Sequence, residues 1–206
     1  GTTITFGLHS PDGDQGYPGN ADITVSYTLT PDNCLKLDYH MVSDADTIAN
    51  FTNHVYFNLG GYKSGSALDQ KVWIDADYFT ATDANSIPTG ELVAVKGTPM
   101  DFTEMKPIGR DIQEDYQALK YGNGYDHNWA LNHPAGELSL SAKAEDEKTG
   151  RTMEVYTDLP GVQFYTANSL KTEHGKNHAV YTPRCGYCFE TQYFPDAINK
   201  PEFASP

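Results

Sequence analysis

Glu190 is the residue whose surroundings most suggest chemistry, because it lies in the aromatic and β-branched run Cys188–Phe194. This composition predicts a strand, which Pro195 ends. A carboxylate among aromatic rings is costly to bury unless it is paired, hydrated or used in a reaction. Such surroundings raise a carboxyl pKa towards the range that is useful for proton transfer. In the alternative, which is the commoner arrangement for a glutamate, Glu190 faces water while Phe189 and Thr191 face the core.

Three further polar residues lie in segments that resemble strands or strand entries. His54 lies in the strand-like run 52–61, and Gln163 is a polar insertion in the predicted strand 160–166. Asp126 follows a glycine-containing turn at the start of another run. An imidazole and a carboxylate are the common side chains for general acid and base catalysis. Each of these residues could equally have a structural role as a hydrogen-bonded polar group.

The three cysteines are predicted to be structural. Cys185 and Cys188 have the spacing of half a redox or zinc site, but no second pair accompanies them. On a strand, residues three apart point to opposite faces, which separates the two thiols. An odd and low number of cysteines, with Cys34 as the third, favours a reducing compartment, so we expect a cytoplasmic protein.

Alternation of apolar and polar residues predicts an all-β fold. A period of two with one apolar face is typical of antiparallel sheets, and helical periodicity is nearly absent apart from a short helix near 115–120. The glycine- and proline-rich segment 10–20 is predicted to be an ordered loop, and it lacks the full ligand pattern of a calcium site. We expect one antiparallel β-sandwich domain over residues 1–206. Its clearest predicted strands are 23–29, 35–42, 71–75, 138–142 and 153–157.

The charge of the chain limits its partners. With 14 basic and 28 acidic residues the net charge is -14, which argues against nucleic acid or an anionic membrane and is compatible with a neutral small molecule. No apolar run approaches the length of a membrane-spanning helix, and no signal peptide is visible. The sequence does not begin with methionine, so Gly1 is not taken as the natural start, and the absence of a signal says little about the intact gene product.

Seven motifs, in order and spread over nearly the whole chain, resemble those of the aldose 1-epimerases, also called galactose mutarotases. One motif alone would carry little weight, whereas seven in family order leave little room for chance. They are the loop 10–19, Asn53–Leu59, Ile87–Glu91, Gly97–Phe102, Gly124–Asn128, Gly161–Thr166 and Glu190–Gln192, with Phe194–Asp196 behind the last.

The resemblance implies a galactose mutarotase-like supersandwich and the interconversion of the α and β anomers of a free aldose such as galactose or glucose. Ring opening needs a base at the anomeric hydroxyl and an acid at the ring oxygen, so the two must flank the sugar. By the resemblance, Glu190 is the base, protonated His54 is the acid, and Asp126 and Gln163 bind sugar hydroxyls. No cofactor or metal is implied. Tyr56, Phe57 or Phe164 are candidates for walls of the sugar site.

The resemblance also has gaps. Family members carry a second histidine in a Leu-His-Gly-Gly motif and an upstream arginine, and neither occurs in these 206 residues. We therefore expect a sandwich that is incomplete at both ends, with a missing segment or a second chain completing its sheets. One alternative is a sugar-binding homologue without turnover. A glycosidase that uses Asp126 and Glu190, and an epimerase of phosphorylated sugars, are further alternatives.

Overall fold

The computed structural model describes residues 2–206, and these form two compact units. The first unit contains residues 2–51 with Pro206, and the second contains residues 52–205. Both are built from antiparallel strands, so the predicted all-β class is confirmed. The expectation of a single domain over residues 1–206 stays a prediction. Among the described residues, no helix has the length and apolar character needed to cross a membrane.

The first unit is a three-stranded antiparallel meander. Its strands are β1 (Thr3–Ser10), β2 (Ala21–Leu29) and β3 (Leu35–Ser43), in that spatial order. The loop between β1 and β2 is ordered, as predicted, because the Asp12 carboxylate accepts a 2.7 Å hydrogen bond from the backbone amide of Gly19. The side chains of a strand alternate between the two faces of its sheet, so Ile4, Phe6 and Leu8 share one face.

The second unit contains two larger sheets, with spatial strand orders β10-β9-β4-β7 and β14-β11-β8-β5-β6, and a small hairpin, β12-β13. One short helix, α1, leads into the central strand β8. The elements are β4 (Lys71–Ile74), β5 (Tyr78–Thr82), β6 (Pro88–Ala94), β7 (Lys106–Pro107), α1 (Gln117–Gly122), β8 (Asp126–Ala130), β9 (Ser139–Asp146), β10 (Arg151–Thr157), β11 (Gly161–Tyr165), β12 (Glu173–His174), β13 (Val180–Tyr181) and β14 (Cys188–Gln192).

An aromatic cluster fills the core of the second unit. Phe164 lies near its centre and is fully buried, with ring centroids of Phe102, Trp129 and Phe189 at 5.4, 6.0 and 5.3 Å. Edge-to-face and offset rings at such separations add about 0.5–1.5 kcal/mol per pair beyond the burial of their area. The aliphatic residues of β4 and β9 complete the cluster. The strands that carry the candidate residues therefore rest on a densely packed layer.

The predicted strands match observed ones, and the predicted helix lies two residues further along the chain, at α1. The strand-like run around His54 is the exception. Residues 52–59 form no strand, and only Phe57 pairs, through an isolated bridge to Tyr187. A strand requires a continuous ladder of partners, which composition alone does not supply. The strand prediction for this segment is wrong.

Replacing Phe164 with alanine should lower the free energy of unfolding of the second unit by about 3–5 kcal/mol, because a buried ring is lost and a cavity remains. Guanidinium unfolding followed by tryptophan fluorescence measures this, since Trp73 and Trp129 both lie in the second unit. Leu138→Ala is the control, because that side chain is 72% exposed, and it should change stability by no more than about 0.5 kcal/mol. Equal losses in the two variants would contradict the central position of Phe164.

Candidate active site

The candidate site lies on one face of strands β8, β11 and β14. Their register places Gln163 of β11 directly between Asn128 of β8 and Glu190 of β14. Residues two apart on a strand share a face, so neighbouring rows extend the same surface. We call this surface the site face. Its side chains are Asp126, Asn128, Gln163, Tyr165, Cys188, Glu190 and Gln192.

The opposite face of the same strands belongs to the core. It carries Trp129, Val162, Phe164 and Phe189, together with His127, all of them buried. Burial lowers the pKa of His127 to about 4, so its imidazole is uncharged at neutral pH. Along each strand, polar residues of the site face thus alternate with buried residues of the core. Phe164 was a candidate wall of the sugar site, and its position on the core face excludes that role.

His54 reaches the site face from a loop that is fastened to the end of β14. The backbone amide of Phe57 donates to the Tyr187 carbonyl at 2.7 Å, and the Tyr187 amide donates back to Phe57 at 3.0 Å. The Asn58 amide donates to the Cys185 carbonyl at 2.8 Å and accepts from Gln70 at 2.7 Å. These bonds fix the loop without a regular ladder, and they set the position of the imidazole.

The His54 ring contacts Glu190. Nε2 of His54 lies 3.3 Å from Oε1 of Glu190, with the two side chains 48% and 13% exposed. The ring also packs beside Tyr56 and Tyr165, at centroid distances of 5.1 and 6.1 Å. The residues predicted as acid and base are therefore in direct contact with each other.

Asp126 and Gln163, the predicted hydroxyl-binding residues, lie beside each other on the site face. The Gln163 amide donates to Oδ1 of Asp126 at 2.9 Å. Gln192 donates in turn to the side-chain oxygens of Gln163 at 3.3 Å and Asn128 at 3.1 Å. A chain of amides therefore leads away from the carboxylate and lines the floor of the site.

The pKa of both carboxyl groups is raised, chiefly by burial. For Glu190, burial raises the pKa, the nearby imidazole of His54 lowers it, and Asp126 raises it further. For Asp126, burial raises the pKa, while the hydrogen bond from Gln163 and the charge of His54 act against this. The carboxylate of Glu190 is thus more basic than that of a glutamate in water, as its surroundings in the sequence predicted.

Cys188 lies next to the imidazole of His54. Its buried Sγ is 3.5 Å from Nδ1 of His54, and the thiol is free, as are those of Cys34 and Cys185. Burial, with the negative charges of Glu190 and Asp126, raises its pKa, so the thiol is protonated at neutral pH. The ligand atoms of His54, Cys188 and Glu190 all lie within 4.8 Å of one another, a spacing that could hold a metal ion.

The structure brings together all four residues named from the sequence: Glu190, His54, Asp126 and Gln163. The sequence analysis did not assign site positions to the remaining side chains of the site face. The signal was available, because each lies two residues from a named one along a strand and must share its face. These side chains are Asn128, Tyr165, Cys188 and Gln192.

The fold and the site define a class of antiparallel β-sandwich proteins with an imidazole and a carboxylate paired on a polar sheet face. A family model described as aldose 1-epimerase matches residues 1–206, and the chain belongs to that family.

Relatives and solved structures agree with this membership. The chain is 42% identical over 201 residues to the galactose mutarotase of Homo sapiens, covering 97% of this chain and 57% of the relative. A galactose 1-epimerase structure from Lactobacillus acidophilus superimposes with a TM-score of 0.81 at 32% identity, over 94% of this chain and 54% of that one. An aldose epimerase homologue from C. elegans shares the fold, with a TM-score of 0.87 at 24% identity, over 99% and 60%. The chain thus spans little more than half the length of these relatives.

Replacing Asp126 with asparagine should lower the pKa of Glu190, because a neighbouring negative charge is removed while the side chain keeps its shape. Carbon-13 NMR of the glutamate carboxyl signals during a pH titration measures the shift. Glu154→Gln is the matched control, since Glu154 is an exposed carboxylate of β10 paired with Lys143. An unchanged Glu190 pKa in the Asp126 variant would show that the two carboxylates do not interact.

Proposed function

We propose that the protein interconverts the α and β anomers of a free aldose, such as galactose or glucose, by acid- and base-catalysed ring opening. Glu190 takes the proton of the anomeric hydroxyl, and protonated His54 supplies a proton to the ring oxygen. The bond between C1 and the ring oxygen breaks, the aldehyde turns about C1–C2, and the two groups then act in reverse. Each positioned proton transfer contributes roughly 10²- to 10⁴-fold to the rate.

The 3.3 Å separation of Nε2 of His54 and Oε1 of Glu190 is the observation that carries this proposal. The anomeric oxygen and the ring oxygen are bonded to the same carbon, so the base and the acid that flank the sugar there must lie only a short distance apart. Two groups in contact meet that requirement. The raised pKa of Glu190 supports its role, because a more basic carboxylate takes a proton more readily.

Asp126 and Gln163 are proposed to hold the sugar by its other hydroxyl groups. Both are polar, partly buried and close to Glu190, and Gln163 lies opposite Glu190 in the strand register. A buried group that loses such a partner costs about 1–3 kcal/mol, which gives the site selectivity for a hydroxylated ring. The names of the relatives, galactose mutarotase and galactose 1-epimerase, support galactose as a substrate.

Replacing Glu190 with glutamine should reduce the rate of anomerisation by about 10²- to 10⁴-fold, because the amide cannot accept the proton. Polarimetry of freshly dissolved α-galactose measures the approach to equilibrium above the spontaneous rate. Glu154→Gln, on the sheet of β9 and β10, is the control that should keep the full rate.

Calorimetry with galactose completes this test. Equal rates in the Glu190 variant and the unmodified chain would contradict the role of the base. Binding of galactose without anomerisation by the unmodified chain would overturn the proposal in favour of a sugar-binding protein without turnover.

The rate should fall as the pH is lowered, with a midpoint above the ordinary glutamate pKa of about 4.3. Only ionised Glu190 can act as a base, and burial raises its pKa, so protonation removes activity at a higher pH than for an exposed glutamate. Polarimetric rates between about pH 4 and 8, corrected for the spontaneous reaction, give the midpoint. A midpoint at or below the ordinary value would show that Glu190 is not the titrating base.

A further inference from the structure

We propose that His54, Cys188 and Glu190 form a binding site for a thiophilic divalent cation such as Zn²⁺, and that the bound ion blocks the site to sugar. The binding depends only on these three side chains, whereas the block depends on the function proposed above. The ion is an inhibitor and has no part in the reaction.

The donor set suits zinc. An imidazole nitrogen, a thiolate sulfur and a carboxylate oxygen are the three kinds of protein ligand that zinc takes, and three protein ligands leave a fourth position for water. Magnesium and calcium prefer oxygen ligands throughout, so a site with sulfur and nitrogen selects against them. Cys185 does not belong to this cluster, although the sequence spacing pairs it with Cys188.

The spacing of the donors is near that of a formed site. The ligand atoms lie within 4.8 Å of one another, with Sγ of Cys188 at 3.5 Å from Nδ1 and Oε1 of Glu190 at 3.3 Å from Nε2 of His54. Zinc bonds of about 2.0–2.3 Å place tetrahedral ligand atoms roughly 3.3–3.8 Å apart. These two short contacts use different nitrogens of the ring, and a metal ion would bind only one of them, so the imidazole must turn as the site closes. The half-exposed imidazole can turn so that one of its nitrogens faces both other donors.

The charge of the surroundings favours a cation. Glu190 belongs to the cluster and Asp126 lies close enough to act on it as a like charge, so the cluster concentrates negative charge. A divalent ion would offset this repulsion, and coordination removes the thiol proton.

The consequence for the proposed reaction is direct. Both the base and the acid would become metal ligands, and neither could then exchange a proton with a sugar. Sugar and zinc should therefore exclude each other. A regulatory or toxic effect of thiophilic metals on this protein would act at the reacting atoms themselves.

Titration with Co²⁺ tests the site, because a cobalt–thiolate bond gives a charge-transfer absorption in the near ultraviolet. All samples carry Cys34→Ala, since that exposed thiol could bind metal by itself. We expect the absorption in the chain that keeps Cys185 and Cys188, and displacement of cobalt by Zn²⁺. Cys188→Ala should remove the absorption and weaken zinc binding, measured by calorimetry, by tenfold or more, since even outer-shell partners are worth about 10- to 100-fold.

Cys185→Ala is the matched control, and it should keep both the absorption and the zinc affinity. Tryptophan fluorescence shows whether Cys188→Ala folds. If that variant does not fold, His54→Ala still tests the site, because it changes an exposed side chain and should weaken zinc binding. Zinc affinity that survives the loss of Cys188 or of His54, or that disappears with Cys185, would overturn the proposal. Mg²⁺ should give no heat of binding above that of dilution.

Competition with galactose separates this inference from the proposed function. If galactose weakens cobalt binding and zinc slows anomerisation, both parts are supported. If the thiolate absorption forms but galactose has no effect on it, the metal site stands, while the shared sugar site and the block are refuted.

Discussion

The register of three strands, β8, β11 and β14, is the constraint on which the site depends. A shift of one residue in any of them would exchange its two faces and move its site residues into the core. Gln163, Glu190 and Asn128 share a row only because two antiparallel pairings agree. The aromatic core fixes both pairings, because Trp129 and Phe164 are buried only when their strands turn that face towards the core. Packing on one face of the sheet thereby fixes the chemistry on the other.

The loop that carries His54 obeys a different rule. It has no ladder, and its position depends on a few buried side-chain hydrogen bonds that involve Asn58, Gln70 and Tyr187. The hydroxyl of Tyr187 donates to Gln70 at 2.9 Å, and the tyrosine backbone pairs with the loop. The same tyrosine therefore joins the core to the loop that carries His54. These bonds fix the backbone of the loop, while the imidazole ring of His54 stays about half exposed to solvent.

The sequence predicted more about the sheets than about the loop. Alternation along each strand reflects which side is buried, so strands such as β2 and β10 could be located from composition. The segment of His54 has the same aromatic and β-branched composition but forms no continuous ladder with another strand. Composition could not show this, because strand partners lie far away in the chain. Family motifs named the four principal residues. The contact of Gln163 with Asp126, 37 residues away, required the register of two strands, which no local pattern contains.

The amide chain on the site face has a single direction. An ionised Asp126 can only accept, so Gln163 must turn its nitrogen towards it and its oxygen towards Gln192. Gln192 must then offer its nitrogen, and Asn128 presents its oxygen in reply. One negative charge thereby orients three amide groups in succession. A ligand that meets this floor finds donors and acceptors in an order dictated from one end, so a change at Asp126 alone can reverse the pattern that the distant amides present.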